Sequence, residues 1–184
     1  MPIYHQEPEN DSPPDLRRQR YQSFGCQLVH FGPIHLYRDE SFLDDDIAKL
    51  TAESFEVRRL DAASWRVTDD AHDALESALT LPVYYGRNLD ALDECMRGLA
   101  IPDDGGLLFV LHHFDGFAKA SRTHDFARGL LDVFAHGARL LQYFGKTFLV
   151  FLQVGDRDVD FGELGAVSPW WNRREFVREP RWMR

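Results

Sequence analysis

Two near-continuous apolar runs, "LLFVLHHF" at 107–114 and "TFLVFLQV" at 147–154, constrain this chain more than any other feature. A strand with one wet face alternates apolar and polar residues, and neither run does, so each predicts a strand covered on both faces. Between them lies "DFARGLLDVFAHGARLLQYFG", in which Phe126, Leu130, Val133, Phe134 and Leu141 recur at helical spacing. Gly145 stands where a left-handed cap commonly ends such a helix. Strand, helix and strand in that order make a βαβ unit, which requires a parallel sheet with helices against it. The fold class is therefore α/β.

Upstream, "FEVRRLDAA" (55–63) is a part-alternating strand. "DDAHDALESALTL" (69–81) is an amphipathic helix with Ala71, Ala74, Leu75, Ala78 and Leu79 inward, and Asp69 or Asp70 is available to cap it. "CQLVHFGPIHLYR" has two short apolar-aromatic runs around Gly32-Pro33 and reads as a strand pair, or a strand and turn, since Pro33 can begin a strand but not sit centrally in one. "DESFLDDDIAKLTAES" follows as a short helix with Phe42, Leu43, Ile47 and Leu50 on one side. Residues 1–20 are rich in Pro and polar groups without an apolar period, the pattern of a disordered tail. The last segment, "AVSPWWNRREFVREPRWMR", concentrates Trp and Arg, with the tryptophans expected to pack on the domain and the arginines to form a solvated end.

A chain of 184 residues that is 44% hydrophobic and 13% aromatic suits one globular domain with appendages. No apolar run approaches the ~20 residues a membrane-spanning helix requires, and the N-terminus does not read as a secretory signal, so a cytoplasmic protein with no membrane partner is expected. Cys26 and Cys95 are too few for a disulfide scaffold and suit reduced, partly buried thiols. A net charge of −9 argues against direct binding of nucleic acid. The acid excess falls on the N-terminal two-thirds of the chain, and an acidic face attracts cationic partners before contact.

That excess includes "LPVYYGRNLDALDECMRGL" (81–99). At about 100° per residue, Leu89, Leu92, Met96 and Leu99 share one helix face while Asp90, Asp93, Glu94 and Arg97 share the other. Acids near a helix N-terminus are favoured by its dipole, so part of the pattern needs no function. Pro82, the Tyr84-Tyr85 pair and Gly86 form an expected turn, partly exposed, with Asn88 placed as N-cap. Tyrosines beside a negatively charged helix have the composition of an interface hot spot.

The run Tyr-Tyr-Gly-x-Asn-Leu-Asp-Ala-Leu at Tyr84–Leu92 resembles the segment that marks the barstar family, intracellular inhibitors of the bacterial ribonuclease barnase and their relatives. The resemblance extends over residues 55–155 and implies a small three-stranded parallel sheet packed with helices. It divides the chain into a tail (1–20), an N-terminal extension of a strand pair and a short helix (21–54), the barstar-like domain (55–155) and a Trp/Arg-rich C-terminal extension (156–184). It also implies an inhibitory surface at Tyr84, Gly86, Asn88, Leu89, Asp90, Asp93, Glu94, Val133 and His136. Three positions depart from barstar, which has tryptophan at Asp93, its key aspartate at Glu94 and a glutamate at His136.

These departures point to a related ribonuclease rather than barnase itself, bound one to one, with an acidic helix plugging a cationic active site. Such an inhibitor is not an enzyme and has no cofactor, metal or catalytic residue. A binding or immunity module on the same scaffold, with a partner that is not a ribonuclease, is the alternative. Catalysis by His112, His113 and Asp115 with the helix acids is poorly supported, since adjacent histidines on a strand point to opposite faces. His136 also lies four residues after Asp132, so a plain surface pair within its helix is a competing role.

Overall fold

The computed structural model describes residues 23–165 and 167–177. In chain order they form α1 (Phe24–Phe31), β1 (Ile34–Tyr37), α2 (Glu40–Ala52), β2 (Phe55–Asp61), a short 3-10 turn (Ala62–Ser64), α3 (Thr68–Leu79) and α4 (Leu89–Met96). There follow β3 (Gly106–His112), α5 (Phe114–Lys119), α6 (His124–Tyr143), β4 (Phe148–Gln153), β5 (Trp170–Trp171) and α7 (Arg174–Val177). The strands make one sheet in the order β2-β3-β4-β1-β5, and every pairing is parallel.

Parallel neighbours need crossover connections, and the right-handed rule places connections that run in opposite directions across a sheet on opposite faces. The path from β1 to β2 runs one way through α2, and the path from β2 through β3 to β4 runs back through α3, α4, α5 and α6. The core divides accordingly. Ile34, Leu36, Leu107, Phe109, Leu111, Phe148, Val150 and Leu152 pack with α3 to α6. The intervening Tyr37, Leu108, Val110, Leu149 and Phe151 pack with Leu28 of α1 and with Phe42, Leu43, Ile47 and Leu50 of α2. The two apolar runs thus face helices on both sides.

The sheet has five strands where three were expected. The three strands β2, β3 and β4 are contiguous, but β4 is not an edge. Its outer hydrogen-bonding groups are taken by β1, with Ile34 opposite Val150 and Tyr37 opposite Gln153, and β5 pairs beyond it. A second correction concerns the expected strand pair around Gly32-Pro33, because the first half is helix. Ser23 caps α1 by accepting from the Cys26 N–H at 3.1 Å, and Glu53 accepts from the N–H groups of Phe24 and Gly25 at 2.6 and 2.8 Å. A distant carboxylate therefore satisfies the first turn of α1, which local pattern cannot reveal. Pro33 opens β1 as expected, its carbonyl accepting from the Val150 N–H at 2.8 Å.

The C-terminal segment closes on the N-terminal one. Trp170 stacks on Phe31 with ring centroids 4.9 Å apart, and the Arg173 guanidinium lies 4.9 Å from the Phe31 centroid. Arg174 is not solvated as expected: it bonds Asp45 at 2.9 Å and the buried Asp46 at 2.7 Å. Asp46 also accepts from Lys49 (2.7 Å), Asn172 (2.7 Å) and the Tyr37 hydroxyl (3.1 Å). Burial and this neighbouring carboxylate push the Tyr37 hydroxyl well above the ordinary tyrosine range. The expected tail at residues 1–20 and the end of the Arg-rich segment lie outside the described residues.

Glu175, itself buried, accepts from the backbone N–H groups of Arg38 and Asp39 at 2.9 Å each, where the chain leaves β1. Glu175→Ala strands both donors and is expected to lower stability by about 2 kcal/mol, read as a lowered midpoint in chemical unfolding. His35 on β1 is buried against Phe151 and donates to the Gly32 carbonyl at 2.9 Å. Desolvation lowers its pKa to about 4. The unfolded chain then binds the extra proton first, so this contribution is full above an unfolded value of about 6.5 and shrinks as pH falls toward about 4. The stability of His35→Gln is expected to fall less steeply than wild type across that window in unfolding titrations at stepped pH.

Candidate functional site

The segment 81–99 is held between two helices. The turn begins at the end of α3, where Thr80 takes a left-handed conformation (φ 53°) and the Leu81 N–H bonds the Glu76 carbonyl at 3.0 Å. The Tyr85 N–H bonds the Pro82 carbonyl at 2.8 Å, which tightens the turn. Asn88 is the N-cap, as expected: its side-chain oxygen accepts from the Ala91 N–H at 2.8 Å and its amide donates to the Gly86 carbonyl at 3.1 Å. A methyl on Gly86 would crowd the Asn88 amide at 3.3 Å, so the small residue lets the cap close on the turn.

The apolar face of α4 presses on α6 at two glycines. A methyl on Gly129 would stand 2.5 Å from Leu89 Cδ1, and one on Gly137 would stand 2.8 Å from Met96 Cε and 2.9 Å from Met96 Cβ. Leu92 and Met96 are fully buried, Leu89 is half-buried, and Val133 is half-buried on the adjoining flank of α6. This close seating turns Asp90 and Glu94 outward, and both are exposed.

The two tyrosines separate. Tyr84 is 86% exposed and Val83 beside it is fully exposed, while Tyr85, expected as part of an exposed pair, is buried. The Tyr85 hydroxyl meets Nδ1 of buried His72 at 2.6 Å, and the His72 ring stands edge-on to Phe126 at 5.0 Å. Burial pushes the Tyr85 pKa up to about 12 and holds that of His72 below its ordinary value. Both stay neutral near pH 7, so the tyrosine donates to the imidazole lone pair. Only Tyr84 remains as an exposed anchor.

The acids of this region fall into two groups. Arg87, with φ 50°, bonds Asp73 of α3 at 2.6 Å, Glu76 at 3.4 Å and the Asp69 carbonyl at 3.3 Å. The Asp73 bond raises the Arg87 pKa further, so the turn is pinned to α3 by a permanent charge. Asp93 accepts from Nδ1 of His136 on α6 at 2.7 Å. His136 therefore does not pair with Asp132 in its own helix, and Asp132 instead accepts from the Gly165 N–H at 2.5 Å. Asp90 and Glu94 have no hydrogen-bond or ion-pair partner among the described residues. The Cys95 thiol is raised, chiefly by burial and also by the charge of Glu94.

The structure thus gathers Tyr84, Gly86, Asn88, Leu89, Asp90, Asp93 and Glu94 on one turn and helix, with Val133 and His136 on the helix beneath. Sequence reasoning missed Arg87, His72 and the two α6 glycines. The run of Asp69, Asp73 and Glu76 along one side of α3 was the available sign that a cation from the following turn would dock there. Where β3 ends, His113 takes a left-handed conformation (φ 54°) and bonds Asp61 at 2.8 Å. His112 sits beside it with ring centroids 6.4 Å apart.

Fold and site together describe a parallel α/β domain that carries an acidic helix on its surface. A family model described as Barstar (barnase inhibitor) matches residues 55–153, and the chain belongs to this family. A Bacillus subtilis (strain 168) protein named "Putative ribonuclease inhibitor YrdF" is 39% identical over 56 residues, which are 30% of this chain and 58% of that relative. The chain therefore spans a little over half the length of that curated relative. Among solved structures, one of Drosophila ORC bound to AT-rich DNA and Cdc6 has a chain with TM-score 0.52 at 15% identity, covering 90% of this chain and 59% of that one. The corresponding complex with GC-rich DNA gives TM-score 0.52 at 14% identity, covering 86% and 54%. These two likenesses concern the α/β fold alone. No described helix is long and apolar enough to cross a membrane.

Substitution is expected to divide the tyrosines. Tyr85→Phe leaves the buried His72 Nδ1 without its donor and should cost about 1–3 kcal/mol in chemical unfolding. Tyr84→Phe should stay within about 0.5 kcal/mol of wild type in the same measurement.

Proposed function

We propose that this chain binds a bacterial ribonuclease one to one and closes its cationic active site with the outer face of α4, protecting the producing cell from within its cytoplasm. Membership of the barstar family and the inhibitor name of the Bacillus relative support the class. The observation that carries the mechanism is the pair of unpartnered, exposed carboxylates Asp90 and Glu94, one helical turn apart and beside exposed Tyr84. A ribonuclease that cleaves RNA must hold a transition state rich in negative charge, so its empty cleft is a concentrated positive field. Carboxylates on a rigid helix fit that field where phosphate would lie, and the inhibitor needs no chemistry of its own. Tyr84, Gly86, Asn88 and Leu89 then form the adjoining contact, with Val133 and His136 on the α6 side.

Acids already paired inside the protein contribute less than free ones, because their field is largely neutralised before the partner arrives. Glu94 and Asp90 are therefore the residues expected to dominate, ahead of Asp73, whose partner Arg87 carries a permanent charge.

The test is inhibition of RNA cleavage by a panel of small microbial ribonucleases at low and high salt, with wild type beside Glu94→Gln and Asp90→Asn. At least one enzyme is expected to be inhibited, with each variant weakened about tenfold or more and association slowed by added salt. Asp73→Asn should change inhibition by less than about threefold. If no enzyme is inhibited, the partner is not a ribonuclease of this type and the scaffold serves a different protein.

A further inference from the structure

We infer that Asp93 and His136 act as one recognition element, in which Asp93 fixes the His136 tautomer so that its Nε2 accepts a hydrogen bond from a cationic side chain at the rim of the partner's cleft. This rests on the ribonuclease-binding reading and deepens it by coupling the role of His136 on α6 to Asp93 on α4. The side chains belong to different helices, and their bond is 2.7 Å between Asp93 Oδ1 and His136 Nδ1. A carboxylate that accepts from Nδ1 fixes a proton there, and the neutral form of that ring presents a lone pair at Nε2. His136 is the outer member, its side chain 55% exposed against 27% for Asp93. The one acid a turn away on the same helix, Asp132, is turned aside to the Gly165 N–H. Nothing in that geometry competes with Asp93 for Nδ1.

The arrangement explains how a histidine can stand in a surface otherwise built for cations. The carboxylate lies behind the ring rather than in front of it, so its charge favours a donor approaching Nε2 without itself being the contact. Asp93 is thus a positioning residue and His136 the contacting one. A partner Arg or Lys reaching this side of α6 meets an acceptor of fixed direction, whereas a carboxylate at the same position would attract any nearby cation.

The experiment is a double-mutant cycle in binding to a ribonuclease that the panel shows to be inhibited, joined to ¹⁵N imidazole spectra of the free protein. Asp93→Asn and His136→Ala are each expected to weaken binding about tenfold, and Asp93→Asn in the His136→Ala background to add less than about twofold. The spectra should show Nδ1–H on neutral His136 in wild type and loss of that preference in Asp93→Asn. Additive losses, an unchanged affinity in either single variant, or an Nε2–H tautomer in wild type would each overturn the inference while leaving the inhibitor reading intact. Failure of wild type to bind any ribonuclease would remove both.

Discussion

Two strands that are apolar on both faces, β3 and β4, set the terms for the rest of this molecule. Their side chains alternate between two separate cores, with Phe109, Leu111, Phe148 and Val150 on one side and Leu108, Val110, Leu149 and Phe151 on the other. Leaving either face in water would expose several large side chains, each worth about 1.5–3 kcal/mol when buried. The helices that follow β2 and β3 can cover only one face, because right-handed crossovers in one direction all lie on the same side. The N-terminal extension supplies the remainder. It turns the chain back through β1 and α2, whose crossover runs in the opposite direction, and α1 and α2 close the second face. The C-terminal segment in turn covers the outer edge of β1 and ties itself to α2 through the buried carboxylate of Asp46.

This construction gives the site its rigidity. The helix α4 is only eight residues long and would not persist alone in water. It is fixed by Leu92 and Met96 in the first core, by glycines on α6 that allow close approach, and by the Asn88 cap. On the opposite side, Arg87 pins the preceding turn to α3. The helix and turn are therefore clamped on both flanks, and the side chains between the clamps project into solvent from a backbone that has little freedom left to lose on binding.

Much of this was legible in the sequence, and for definite reasons. The α/β class followed from Leu107–His113 and Thr147–Val154, where an unbroken apolar run has few solutions other than a covered parallel strand. The α4 wheel was legible because Leu89, Leu92 and Met96 keep helical spacing, and Asn88 because capping chemistry is local. What escaped was long-range. Residues 24–31 carry strand-like aromatics, yet they form a helix because Glu53, almost thirty positions away, satisfies its first N–H groups. The fifth strand escaped because a two-residue strand such as Trp170–Trp171 has no period of its own, and the seating of β1 beside β4 rests on pairing between distant segments. In the site, the separation of Tyr84 from Tyr85 depends on His72 across the fold, and no spacing rule links Asp93 to His136 over 43 residues.

The division between paired and free acids has a consequence for how such a surface can discriminate among partners. Exposed ion pairs contribute little in water, about 0–1 kcal/mol, because solvent and salt screen them. Asp90 and Glu94 gain strength only when a partner excludes water from around them, which makes their value depend on the shape of the surrounding contact. Tyr84 stands where it can help exclude that water, and it is held by a turn whose other tyrosine is locked in the core. A partner of the right charge but the wrong shape would leave the carboxylates wet and weakly engaged. A partner of the right shape but without cations would leave them buried and unpaired, at greater cost still. On the proposed inhibitor reading, charge would bring many proteins toward this face, and the fit around two carboxylates would decide which of them remain.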